Sequence, residues 1–154
     1  SGMNYVILRF ANVYGYGNGL FVAKTGGAIG NFIKAAMNGS EITIYGTGEQ
    51  GIDYVIIEDV CDVMKFILDD KSIKNDIFNV GSGGLVSISQ LANKVANLAK
   101  NKFKTDVKVK NLPAPDGSIW PDRLMSIEKV NEKIKWKPKM SIGDGISEIF
   151  SKAR

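Results

Sequence analysis

Along this chain the spacing of apolar positions shifts from two to about three and a half and back several times, and the shifts outline its elements. Tyr5-Val6-Ile7-Leu8-Arg9-Phe10 is an almost unbroken run of β-formers, the pattern of a strand buried on both faces. Past a glycine-rich stretch, Ile29, Phe32, Ile33 and Ala36 recur on one helical face and stop at Asn38-Gly39. Ile42-Thr43-Ile44-Tyr45 predicts a short strand, and Asp53-Tyr54-Val55-Ile56-Ile57 another. Val60, Val63, Met64, Ile67 and Leu68 then mark an amphipathic helix, with Glu58 and Asp59 placed to suit its N-terminal dipole. Asp76-Ile77-Phe78-Asn79-Val80 is a further strand, closed by Gly81-Ser82-Gly83-Gly84.

In the second half, Ser87 and Gln90 have the spacing of a capping box, and Ile88, Leu91, Ala92, Val95 and Ala99 make the helix behind it. Val107-Lys108-Val109 reads as a short strand, and residues 111–122, with three prolines and a glycine, as an ordered loop. Two helices close the chain, one through Ile127, Val130 and Ile134 stopped by Pro138, the other from Ser141 through Ile146 and Phe150. No repeat, low-complexity tract or linker interrupts the alternation, so residues 3–154 are expected to form a single α/β domain. Ser1 and Gly2, ahead of Met3, read as what a protease leaves when a purification tag is removed.

Composition narrows the chemistry. A chain of 154 residues, 44% hydrophobic and 23% charged, is globular in balance. No apolar run approaches a membrane span and no signal segment opens it, so a soluble, cytoplasmic protein with no membrane partner is expected. There is no histidine, which excludes a Ser-His-Asp triad, a Cys-His dyad and the usual zinc sites. The single cysteine, Cys61, lies among apolar-periodic neighbours and reads as core. No metal site is expected.

The net charge of +4 is uneven: residues 100–139 hold eleven basic against five acidic side chains, and residues 1–99 seven against nine. A basic stretch can attract phosphate, but lysines spaced as Lys129, Lys133 and Lys137 are better read as a solvated helix face.

Two glycine clusters raise the question of phosphate binding. Gly46-Thr47-Gly48-Glu49-Gln50-Gly51 has the letters G-x-G-x-x-G, yet a strand follows it, whereas a dinucleotide fingerprint opens a helix. Gly81-Ser82-Gly83-Gly84 lies between a strand and a helix but lacks the third glycine spacing and a Walker lysine. Both read as turns.

Leu8-Arg9-Phe10-Ala11-Asn12-Val13-Tyr14-Gly15 is similar to the L-R-x-x-N-v-y-G segment of extended short-chain dehydrogenase/reductases, the NAD-dependent sugar-nucleotide epimerases and dehydratases. The resemblance continues in register. Residues 39–48 resemble that family's g-x-x-l-x-i-y-G-x-G, residues 53–60 its D-f-v-y-v-x-D-v, Phe78-Asn79-Val80-Gly81 its y-N-v-G, and Trp136-Lys137-Pro138 with Gly145 its closing segment. What it implies is the C-terminal, substrate-binding part of such an enzyme, including the last strands of the Rossmann sheet but not the half that carries the NAD fingerprint. The Y-x-x-x-K pair that supplies the family's tyrosine base is absent, so no catalytic residue is assigned and this chain alone is expected to be inactive.

By the same resemblance, Asn12 matches the asparagine that donates to the sugar-nucleotide phosphates, an Asx turn ending the strand being the less favoured reading. Phe10 and Ala11 match positions beside the nicotinamide of NAD or NADP, and could equally be core. Thr43 and Tyr45 match positions that flank the nucleobase, and β-propensity alone would also explain them. No cofactor is expected to bind this fragment by itself.

Two arginines that clamp the diphosphate in the family are missing here: Ile52 stands in one place and Asp116 in the other. Arg123 lies close enough to supply a cation, and Pro115-Asp116-Gly117 followed by Arg123-Leu124-Met125 is faintly like the GDP-fucose synthase type. The reading is a 4-epimerase of a UDP-sugar, acting on a nucleotide sugar through a 4-keto intermediate. The alternative is a non-catalytic module that holds a protein or nucleic-acid partner through residues 100–139, nucleic acid being the less favoured. Strands without their sheet neighbours leave open edges, so a homodimer is expected, with exchange of elements between copies as one route.

Overall fold

The computed structural model describes residues 2–17, 20–21, 27–116, 118 and 120–152. In chain order the elements are β1 (Val6–Phe10), β2 (Asn12–Tyr14), β3 (Tyr16–Gly17), β4 (Leu20–Phe21), α1 (Ala28–Met37), β5 (Ile42–Tyr45), β6 (Gly51–Ile52), β7 (Tyr54–Ile56), α2 (Ile57–Asp69), β8 (Asp76–Val80), β9 (Val86–Ser87), α3 (Ile88–Phe103), β10 (Val109–Leu112), α4 (Glu128–Ile134) and α5 (Ile142–Lys152). The α/β class expected from the alternating periods is the one observed.

Parallel pairing organises the strands, each pair joined through intervening helices because parallel neighbours need a long crossover. β1 runs beside β8 with Val6 opposite Asp76 and Phe10 opposite Val80. At Ala11 the chain changes partner. Ala11 N–H donates to the Val80 carbonyl at 2.9 Å, while Asn12 N–H donates to the Asp53 carbonyl at 3.1 Å, and β2 continues beside β7. β5 pairs in parallel with β10, and the short β6 pairs antiparallel with β9.

Helices cover these pairs on two sides. α1, α3 and α5 pack with Tyr14, Ile42, Ile44, Tyr54 and Ile56 into one buried cluster. α2 and α4 pack with Val55, Phe78 and Val80 into another. α3 shows how sequence produces this. The Ser87 hydroxyl accepts from Gln90 N–H at 3.1 Å, the Gln90 side chain accepts from Ser87 N–H at 3.0 Å, and the helix closes on Lys104 in the left-handed region. Between these ends Leu91, Ala92, Val95 and Ala99 are wholly buried. Burial of the Leu91 side chain alone is worth about 1.5–3 kcal/mol.

Asp59, in the first turn of α2, does more than suit the helix dipole. It is buried, and its carboxylate accepts from Lys139 N–H at 3.1 Å and Met140 N–H at 3.3 Å, which ties the segment before α5 to α2.

Several expectations need correction. β1 is not buried on both faces: Tyr5 is 51% and Ile7 45% exposed, because helices pack on only one of its faces. Met64 and Leu68 are exposed too, and α2 reaches the core through Ile57, Val60, Val63 and Ile67. Cys61 is exposed rather than core, one residue and about 100° of helix turn past Val60. β10 begins two residues later than the predicted strand, and it takes in the first two positions of the predicted 111–122 loop. α4 stops at Ile134, on Lys135 in the left-handed region, before Pro138 is reached.

Candidate functional site

The 46–51 stretch is a turn, as expected, and its interior is already in use. Gly46 and Gly48 have φ of 76° and 73°, a region that favours glycine. Ser89, in the first turn of α3, donates its N–H to the Gly48 carbonyl and its hydroxyl to the Thr47 carbonyl, both at 2.9 Å. The Asn111 amide donates to the Gly46 carbonyl at 2.8 Å. A side chain at Gly48 would stand 2.4 Å from the Ser89 hydroxyl, so the glycine is required by close approach.

The second glycine cluster cradles an anion, but an internal one. Asp53 is fully buried, and its carboxylate accepts from the Ser82 N–H (2.7 Å), the Ser82 hydroxyl (2.6 Å) and the Gly83 N–H (3.3 Å). These bonds fix the 81–84 loop to the start of β7 and take up donors that a phosphate would otherwise use.

Beside Asp53 the chain lays down a short parallel segment along β6. Gly51 N–H donates to the Asp122 carboxylate at 2.7 Å, Arg123 N–H donates to the Gly51 carbonyl at 2.9 Å, and Asp53 N–H donates to the Arg123 carbonyl at 3.0 Å. Arg123 thereby becomes the bridge partner of Ile52. A cation is thereby seated next to Ile52, across the backbone.

Both residues line a cleft of about 640 Å³ together with Ala11, Asn12, Tyr54 and Trp120. Asn12 holds its place by donating its side-chain amide to the Asp53 carbonyl at 3.2 Å, a bond across strands rather than an Asx turn. Its amide oxygen has no partner among the described residues. Tyr54 has its phenol pushed up to about 12 by burial, partly opposed by the positive charge of Arg123. Its ring meets Tyr14 edge to face at 6.4 Å. The N-terminal end of α1 also reaches the cleft through Gly27, Ala28 and Ile29, and its N-cap Gly27 offers no side-chain cap. The positive end of a helix dipole therefore lies near Arg123.

A second cleft of about 420 Å³ adjoins the first, and Ala28 and Trp120 line both. Thr43 and Tyr45 lie here, on the outer face of β5, because Ile42 and Ile44 alternate inward. The predicted residues thus fall into three places: Ala11, Asn12 and Arg123 in one cleft, Thr43 and Tyr45 in the next, and exposed Phe10 at the end of β1 in neither. Tyr54 and Trp120 were not foreseen. A half-exposed tryptophan in a proline-rich loop was a signal that could have pointed to Trp120.

Part of the basic stretch is paired within the chain. Lys100 pairs with Asp106 at 2.9 Å, Lys110 with Glu41 at 3.8 Å, Lys139 with Asp62 at 2.6 Å, and Lys129 and Lys133 both meet Asp76. That agrees with a solvated face. Among the described residues no helix is long and apolar enough to cross a membrane, and no group of acidic or cysteine side chains could hold a metal ion.

Comparison with known proteins places this geometry. The profile of the NAD dependent epimerase/dehydratase family matches residues 1–81. A probable GDP-L-fucose synthase of Oryza sativa subsp. japonica is 32% identical over 115 residues, 75% of this chain and 33% of that protein. The crystal structure of a UDP-glucose 4-epimerase with UDP-glucose from Thermotoga maritima superposes with a TM-score of 0.76 at 28% identity, covering 98% of this chain and 46% of that one. A Thermus thermophilus UDP-glucose 4-epimerase in complex with NAD gives a TM-score of 0.75 at 26% identity, over 99% and 47%. The chain spans between a third and a half of the length of these proteins. With the profile match covering more than half of the residues and 98% of the chain superposing on the Thermotoga maritima enzyme, the chain belongs to the NAD dependent epimerase/dehydratase family.

Proposed function

We propose that this chain is the substrate-binding portion of a sugar-nucleotide epimerase or dehydratase, acting on a UDP-sugar as a 4-epimerase and inactive by itself. The observation that carries the reading is the convergence of Asn12, Arg123 and the N-terminal end of α1 on one cleft. An amide, a guanidinium and a helix dipole are the three kinds of group that hold a diphosphate without displacing it chemically. The adjoining cleft, with the hydroxyl of Thr43 and the aromatic face of Tyr45, has the character a nucleobase needs. In this reading Arg123 does the work of the arginine replaced by Ile52. Asn12 spends one amide N–H on the Asp53 carbonyl and keeps the second to donate to a phosphate oxygen.

For NAD or NADP, the described residues offer a wall and no cradle. Ala11, half-buried, and Phe10, exposed, stand at the C-terminal end of β1, where ligands of parallel sheets bind. The strand-to-helix glycine loop that follows β8 is filled by the Asp53 carboxylate. These residues do not suffice for a dinucleotide. The chain's own part is to bind and orient the nucleotide sugar. As a partner we propose a second copy of the chain, joined through the open side of β1.

Calorimetric titration with UDP-glucose tests the substrate reading. The native chain should give a saturable binding heat, and Arg123→Ala should weaken it by roughly ten- to a hundredfold, the loss of one charge-assisted bond of about 1.5–3 kcal/mol. Equal affinity in the variant would overturn the role of Arg123. Micromolar binding of an RNA oligonucleotide with no heat from UDP- or GDP-sugars would overturn the reading as a whole.

A further inference from the structure

We infer that Trp120 is the stacking platform for the base of the nucleoside diphosphate, and thus a binding residue specific to this chain's loop; this rests on the substrate reading above. Trp120 lines both clefts, the one that holds Arg123 and the one that holds Thr43 and Tyr45. It is 37% exposed, and it makes no hydrogen bond or ring contact among the described residues. A large aromatic left half open at the junction of two clefts loses apolar burial unless something covers it.

Its support is rigid. The indole rests against Gly46, where an added side chain would meet Cζ3 at 3.0 Å. Gly46 is held by its own N–H donating to the Leu112 carbonyl at 2.8 Å and by Asn111 on its carbonyl. Glycine at 46 therefore serves two needs: its positive φ turns the chain after β5, and its missing side chain seats the ring.

The ligand follows from what flanks the ring. On one side lie a guanidinium and a helix N-terminus, which suit a diphosphate; on the other lie Thr43, Tyr45 and Gln50, which suit a flat, hydrogen-bonding ring. A molecule with both parts joined is a nucleoside diphosphate, and the shared wall of the two clefts is where its base meets the indole.

Binding of UDP and of inorganic pyrophosphate to the native chain, Trp120→Ala and Trp120→Phe tests this. Trp120→Ala should weaken UDP by roughly 5- to 150-fold, the range of base stacking on an aromatic ring, and leave pyrophosphate within twofold. Trp120→Phe should retain most of the UDP affinity. The chain has two tryptophans and the other, Trp136, is buried, so UDP should quench fluorescence in the native chain and not in Trp120→Phe. Unchanged UDP affinity in Trp120→Ala, equal losses for UDP and pyrophosphate, or a full quench in Trp120→Phe would each overturn the platform. Absence of UDP binding to the native chain would instead overturn the substrate reading and the platform with it.

Discussion

Arg123 stands where it does because of backbone bonds, and the sequence places it only in the neighbourhood of Ile52. Position 52 can be read from the strand pattern; the seating of residue 123 depends on Asp122 capturing the Gly51 N–H, a contact 71 residues apart. Asp53 is similar: its acidity fits a family pattern, but its role as the anion inside the 81–84 loop requires the two segments to meet. Asp76 carries a consequence for pH. Lys129 and then Lys133 donate to it, with the Ile77 N–H, and hold its carboxyl well below the usual carboxylate range. A depressed carboxyl stabilises the fold fully above its unfolded value, about 3.9, and the contribution is lost as pH falls below that. The urea midpoint of the native chain should therefore drop more between pH 6 and pH 3 than that of Asp76→Asn. Identical drops would show that the pair of lysines adds nothing.

At the scale of elements, most of what recurs at helical period was legible, since α1, α3 and α5 bury the residues their spacing selects. The capping box of α3 could be read from two residues because both of its bonds are local. Burial of β1 could not be read, because a continuous apolar run says what a strand can bury and not what is present to cover it. Its open side leaves Tyr5, Ile7 and Phe10 exposed, and Met64 and Leu68 of α2 lie near Tyr5 around a cleft of about 440 Å³. An unpaired strand edge beside exposed apolar side chains favours pairing with another chain. Light scattering at high protein concentration should give twice the mass of one chain, and Ile7→Lys, which places a charge on that face, should return it to a monomer. A native chain that stays monomeric would contradict the proposal.

For the whole molecule, the site lies where three pieces of chain far apart in sequence converge: the switch from β1 to β2 at Ala11 and Asn12, the start of α1, and the 120–123 segment laid along β6. The sequence motifs named the first of these. Only the fold shows that the others share its cleft, and that Lys100, Lys129, Lys133 and Lys139 pair with carboxylates elsewhere. The central claim is that a sugar nucleotide lies across the two clefts that meet at Trp120. Chemical-shift mapping by NMR on the isotope-labelled chain, titrated with UDP-glucose, tests it most directly. The largest perturbations should cluster at Asn12, Ala28, Thr43, Tyr54, Trp120 and Arg123, whereas perturbations confined to the Lys129, Lys133 and Lys137 face, or none at saturating ligand, would contradict it.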